Sequence, residues 1–142
     1  MMISQLLAKR SVEMISVGRT TPVKDVVALL AEKRIGAVPV IEGGAVIGIM
    51  SERDVIYWLS KDGAAILEWP VEKAMTAPVV TVAPDSTVLG GLALMTRRRI
   101  RHLPVVDGER TVGIVSIGDL VKARIDRIEA EAEAMRLYIQ AS

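Results

Sequence analysis

Cysteine is absent from the 142 residues, which excludes disulfides, thiolate nucleophiles and Cys-based zinc sites. One histidine cannot make the usual zinc set without cysteine, so no metal centre is expected. Phenylalanine is also missing, and only two Trp and two Tyr are present. The core must then be aliphatic, and stacking on aromatic faces cannot be a main recognition device. That disfavours single-stranded nucleic acid, whose sites usually supply aromatic platforms. A net charge of +1 provides no field that would steer the chain to nucleic acid or anionic lipid. No apolar run approaches the ~20 residues of a spanning helix. Met1 to Val12 carries neither a long apolar stretch nor an Ala-x-Ala cleavage site, so no secretory leader is expected and the setting reads as cytoplasmic. No nucleophile–base pair stands out and no Gly-Lys-Ser/Thr phosphate loop occurs, so catalysis is not expected.

What the chain does contain is a duplication. Gly48-Ile49-Met50-Ser51-Glu52-Arg53-Asp54 returns as Gly113-Ile114-Val115-Ser116-Ile117-Gly118-Asp119, a shift of 65 positions. The same shift aligns Val17 with Val82, Val23 with Val88, Leu29 with Leu94, Arg34 with Arg99, Ile35 with Ile100 and Pro39 with Pro104. One such unit buries too little apolar surface to be secure alone, so the halves should pack as a pseudo-twofold pair.

Within each unit the order reads β-α-β-β-α. Ile15–Val17 and Val79–Val82 read as short strands. Thr21 with Pro22, and Ser86, read as helix starts. Val23, Val26, Val27, Leu30 and Ala31 follow with helical spacing, and the helix should end near Arg34. Ala37–Ile41 and Val46–Met50 flank Gly43-Gly44 as a hairpin, and His102–Val106 and Thr111–Val115 flank Asp107-Gly108. Ser51 and Ser116 then open helices. Short lead-in helices are expected at Met2–Ala8 and Val71–Met75, with a linker at Ala64–Pro70.

The repeated Ser-x-x-Asp has a complete structural explanation as a capping box. It also places a helix N-terminus, which suits phosphate, beside a carboxylate able to accept from two vicinal hydroxyls. A nucleotide combines those two needs. With its Pro-centred strands, Ile35-Gly36-Ala37-Val38-Pro39-Val40 and Ile100-Arg101-His102-Leu103-Pro104-Val105-Val106, the doubled motif resembles a tandem pair of CBS domains, or Bateman module. The likeness covers nearly the whole chain and is greatest to small bacterial stand-alone CBS-pair proteins.

That resemblance implies an α/β fold of α+β type, with two β-α-β-β-α repeats about a pseudo-twofold axis and a long C-terminal helix. Residues 1–63 would form the first repeat with its lead-in, 64–128 the linker, lead-in and second repeat, and 129–142 an extension. It further implies a non-catalytic energy- or redox-sensing module that binds an adenosine ligand: AMP foremost, with ADP, ATP, NAD(H) or S-adenosylmethionine as others. Asp54 and Asp119 would hold ribose, and Ser51 and Ser116 would meet phosphate. Adenine would lie against Ile35, Ala37, Val38 and Pro39 in one half and Ile100, His102, Leu103 and Pro104 in the other. Val17, Thr20, Thr21, Thr81, Asp85 and Ser86 would border the pockets. Arg101-His102 resembles family phosphate ligands where the first repeat has Gly36-Ala37, while Arg53 stands opposite Gly118. Two unequal sites are expected. Arg97, Arg98, Arg99 and Arg101 have two readings, a solvated basic helix end that favours the dipole, which is the commoner outcome, and anion binding by at least one of them.

The last helix carries Val121, Ile125, Ile128, Ala132, Met135 and Ile139 at alternating steps of four and three. This is an a/d stripe, and packing against another subunit, as a homodimer, is expected of it. The rival reading is an interaction protein that assembles through this helix and leaves its clefts unused. A regulated protein partner is implied but not identifiable.

Overall fold

The computed structural model describes residues 1–10 and 13–142. Ser11 and Val12, which close the stretch read for a leader, lie outside the described residues. The elements run α1 (Ile3–Ala8), α2 (Val23–Lys33), β1 (Ala37–Glu42), β2 (Ala45–Ser51), α3 (Glu52–Asp62), two 3₁₀ turns (Gly63–Glu68 and Val71–Lys73), α4 (Val88–Arg98), β3 (His102–Asp107), β4 (Arg110–Ser116) and α5 (Ile117–Ala141).

Each repeat is built on an antiparallel hairpin, β1 with β2 and β3 with β4. Gly43 and Gly44 take φ of +58° and +84°, the left-handed pair that a tight hairpin turn requires. Both hairpins carry an irregularity at the same place, Val40/Ile41 and Val105/Val106, so the duplication extends to backbone detail. The expected strands at Ile15–Val17 and Val79–Val82 contract to single parallel bridges, Val17 to Val40 and Val82 to Val105. In each case the chain turns away at once, with Thr21 N–H donating to Gly18 O (3.1 Å) and Ser86 N–H to Ala83 O (3.0 Å). The helix starts also move by one residue. Pro22 rather than Thr21 is the N-cap of α2, and Thr87 rather than Ser86 caps α4, its hydroxyl accepting from Gly90 N–H at 2.9 Å.

Two aliphatic cores result, one per repeat, and the segments that complete them are exchanged. Ile3 of α1 is fully buried with Val82, Val88, Met95, Leu103, Val105, Val115 and Leu120 of the second repeat. Ile66, Val71 and Ala74, which precede the second repeat in the chain, fill the core of the first beside Val23, Val26, Val38, Val40 and Met50. Backbone bonds anchor both crossings: Ile3 N–H to Ser86 O (2.9 Å) and Val71 N–H to Thr21 O (2.8 Å). A division at residue 63 thus follows the chain, whereas the packing crosses it. Each fully buried Ile or Val contributes about 1.5–3 kcal/mol, enough for either lead-in to matter to the repeat it completes.

The hairpins of the two repeats face one another, and Thr111 N–H in β4 donates to Gly44 O in the first turn at 2.9 Å. The pair of Ser-x-x-Asp motifs is thereby brought to two clefts between the repeats. Helix α5 buries Leu120 and then runs on exposed from Ile125. No helix among the described residues is long and apolar enough to cross a membrane.

Candidate functional site

Local sequence places the two aspartates. In β2 the chain is extended through Ser51 (φ −116°, ψ 164°), and α3 begins at the next residue. Asp54 N–H donates to Ser51 Oγ (3.2 Å), and Ser51 N–H donates back to Asp54 Oδ2 (2.9 Å). The copy is matched: Asp119 N–H to Ser116 Oγ at 3.1 Å and Ser116 N–H to Asp119 Oδ2 at 2.8 Å. The first amide of each helix is also taken, Glu52 N–H by Gly36 O (3.0 Å) and Ile117 N–H by Arg101 O (2.8 Å). Two of the first three helix amides therefore already have protein acceptors. The helix ends keep their favourable dipole but few free donors, so strong phosphate contacts must come from side chains.

Cleft 1, of about 470 Å³, is lined by Gly36, Ile49, Ser51, Glu52, Arg53, Asp54 and Ile56 of the first repeat, by Thr76, and by Arg99, Ile100, Arg101 and His102 of the second. Cleft 2, of about 550 Å³, gathers Ser116 and Asp119 with Gly113 and Ile114, and faces Arg34, Ile35, Gly36 and Ala37 across Ile15 and Arg10. Both volumes suit a drug-sized or nucleotide-sized ligand. Each mixes residues of the two repeats. Of the residues expected at a site, Ser51, Arg53, Asp54, Ile100, Arg101 and His102 meet in cleft 1. Ile35, Ala37, His102, Ser116 and Asp119 meet in cleft 2.

The remainder sit elsewhere. Val38 and Leu103 are fully buried in the two cores, so their side chains cannot face a ligand, because strand alternation points them inward. Pro39 and Pro104 are buried, and their carbonyls accept from Val17 and Val82 N–H. Val17, Thr20, Thr21, Thr81, Asp85 and Ser86 are not among the lining residues of either cleft. The backbone at Thr21 and Ser86 is instead held by the exchanged lead-ins.

The clefts differ in what occupies the aspartates. In cleft 1, Thr76 Oγ1 donates to Asp54 Oδ1 at 2.8 Å, and Thr76 N–H donates to Ile49 O at 2.8 Å. In cleft 2 the register mates Asp119 and Ile114 are both held by the Arg10 guanidinium, each at 2.6 Å, through Ile114 O and through Asp119 Oδ2, the oxygen that also accepts from Ser116 N–H. One neutral threonine and one cation thus serve the same pair of register positions, through different carboxylate oxygens. Arg53, Arg99 and Arg101 all line cleft 1, and none of them is in an ion pair among the described residues. Thr76 and Arg10 lie outside the conserved-register motifs of the two repeats; the register does mark Arg10 as odd, since its mate is the apolar Met75.

Two further features are built around the clefts. Arg34 and Arg99, register mates, both take the left-handed conformation at φ 55°, one facing each cleft. Such positions cost of order 1 kcal/mol without glycine and gather at functional sites. Gly36 is a close approach: a Cβ there would lie 3.1 Å from the His102 ring and 2.9 Å from Glu52 Oε1. The His102 ring belongs to both clefts. Burial lowers its pKa below the ordinary histidine value, with Glu52 and Asp119 opposing that shift and Arg101 reinforcing it. At neutral pH the partition between the clefts is an uncharged imidazole. No three His, Asp or Glu side chains converge as a metal site among the described residues.

Comparison with known proteins places this geometry. The family model described as "CBS domain" matches residues 5–61 and 71–126. A CBS-domain containing protein from Agrobacterium tumefaciens has a solved structure 38% identical to this chain, covering 87% of it and 99% of that protein, with a TM-score of 0.82. A mitochondrial CBS domain-containing protein of Arabidopsis thaliana is 35% identical over 123 residues, which are 83% of this chain. The match spans 60% of the length of that relative. A CBS domain protein from Pyrobaculum aerophilum, solved in complex with AMP, is 25% identical, with 84% of this chain and 89% of that one covered and a TM-score of 0.74. With both repeats matched by the family model and the fold shared across almost the whole of a solved relative, the chain belongs to the CBS domain family as a tandem pair.

Proposed function

We propose that the protein is a non-catalytic, cytoplasmic regulatory module that binds an adenosine nucleotide between its repeats, with cleft 1 the stronger phosphate site. One observation carries this reading: Asp54, at a helix N-terminus, faces a cleft with Arg53, Arg99 and Arg101. A carboxylate for ribose hydroxyls and free guanidinium groups for phosphate are the two chemistries that a nucleotide asks for. The AMP complex of the Pyrobaculum relative supports an adenosine ligand, and AMP is the first to test. NAD(H), ADP, ATP and S-adenosylmethionine follow. Cleft 2 is the weaker site, because the carboxylate of Asp119 is already neutralised there by the Arg10 guanidinium. The module acts as a homodimer whose α5 helices contribute, and ligand binding alters a regulated protein by favouring one relative angle of the repeats.

A thermal-shift panel tests the reading directly. A ligand at 100 times its Kd stabilises the native state by about 2.7 kcal/mol, a rise of several degrees. No shift with any member of the panel sinks it.

A second reading is favoured by the hydrogen bonds themselves. Both Ser-x-x-Asp motifs are satisfied as capping boxes, and both aspartates are engaged by Thr76 or Arg10. On that view the clefts are unused and the molecule is an assembly protein working through α5.

A further inference from the structure

The exposed face of α5 has a defined geometry. Val121, Ile125, Ile128, Met135 and Ile139 are 41–63% exposed, and Ala132 continues their line. The helix start packs on α4 and, with α1, walls a groove lined by Leu6, Lys9, Ala123 and Asp126, and the exposed stripe points away from the body. Taking Ile125, Ala132 and Ile139 as a positions and Val121, Ile128 and Met135 as d positions puts Arg124 and Glu131 at g. Lys122, Glu129 and Arg136 fall at e.

We infer that a second copy of this chain covers the stripe as a parallel, in-register two-stranded coiled coil over residues 121–139, with Arg124 beside the partner's Glu129 and Glu131 beside the partner's Arg136. Charge and coverage decide the orientation together. In the parallel arrangement g meets the partner's following e, and both such pairs are of opposite sign. All six apolar positions then face their own copies. An antiparallel pair that covers all six sets Glu129 and Glu131 each against itself, and Lys122 against Arg136. The antiparallel pair that satisfies the charges aligns Lys122 with Glu129 and Arg124 with Glu131. That alignment leaves Met135 opposite Gly118, and Ile139 opposite a residue of β4, before the helix begins. The parallel register alone meets both demands.

This sharpens the homodimer of the proposed function and rests on it, so the test separates the two. The chain has no cysteine, which makes single-site cross-linking unambiguous. Ala132→Cys, mildly oxidised, should form a covalent dimer, because an a position meets its own copy only in the parallel register. Ala134→Cys, on the outward face, should stay uncrosslinked under the same conditions. A dimeric mass by light scattering without an Ala132→Cys cross-link overturns the orientation. A monomeric mass overturns the homodimer itself. Glu131→Arg should weaken the dimer several-fold, and adding Arg136→Glu should restore it. Failure of that rescue would also count against the parallel register, since the antiparallel charge pairing sets residue 131 against Arg124.

Discussion

Arg10 and Asp119 form an ion pair at 2.6 Å although 109 positions separate them, and the same guanidinium also reaches the Ile114 carbonyl. The pair is part-exposed, with side-chain exposures of 29% and 39%, so water and salt screen it. Arg10→Met should therefore cost about 1 kcal/mol of stability, including the lost carbonyl bond. Urea unfolding checks this, and the cost should shrink in high salt. An undiminished cost would show that packing of the arginine stem, not charge, was the main contribution.

The same pair predicts inequality between the clefts. Titration calorimetry with AMP should resolve a tighter and a weaker event, or the tighter one alone. Asp54→Ala should remove the tighter event and Asp119→Ala the weaker. Freeing Asp119 by Arg10→Met should strengthen the weaker event for adenosine, which lacks phosphate. Unchanged binding in both aspartate variants would break the ribose assignment.

Arg101 gives a second handle on cleft 1. Arg101→Ala should weaken AMP by roughly tenfold, the scale of one charge-assisted contact, while leaving adenosine nearly unaffected. Equal losses for the two ligands would place Arg101 in packing rather than phosphate recognition.

His102 supplies the pH dependence. Its pKa is lowered in the folded state, chiefly by burial, so the unfolded chain binds more protons as pH falls through 6.5. Stability should thus be intact above 6.5 and decline between there and the lowered folded value. The chain has one histidine, so a proton NMR titration reads it without ambiguity. The midpoint should lie below 6.5, and the decline in this window should be smaller in His102→Asn. A midpoint above 6.5 would mean that Glu52 and Asp119 outweigh burial.

The lead-ins offer a packing test. A Cβ on Gly48 would run into Met75 and one on Gly113 into Leu7, where the nearest atom is 2.9 Å away. Gly48→Ala and Gly113→Ala should each cost roughly 1–3 kcal/mol by calorimetric or denaturant unfolding. Gly48 should be the worse, since several atoms of Met75 stand in the way and Leu7 obstructs with its branched end.

What was legible in the residues is what local chemistry controls. The hairpins follow from β-rich runs around Gly43-Gly44 and Asp107-Gly108, and the capping boxes from Ser-x-x-Asp. Where a helix starts is decided more finely, by which residue's backbone is already engaged, so Pro22 and Thr87 displaced Thr21 and Ser86. The sequence marks Met2–Ala8 and Val71–Met75 as lead-in segments. It could not tell which of two similar cores each would enter. Val38 and Leu103 belong to a motif associated with the ligand, yet alternation along the strand turns their side chains into the core. Arg10 and Thr76 escaped notice because they act across the fold, on acceptors remote in sequence.

The crossing of the lead-ins gives these two residues a larger meaning. Thr76, bonded to Asp54 of the first repeat, stands on the strand of chain that enters the second. Arg10, bonded to Asp119 of the second, stands on the strand that enters the first. Each aspartate is thus moored by the other repeat's approach path. A ligand that took the oxygen held by Thr76 or by Arg10 would cast off that mooring, and the slack would pass to the opposite half of the molecule.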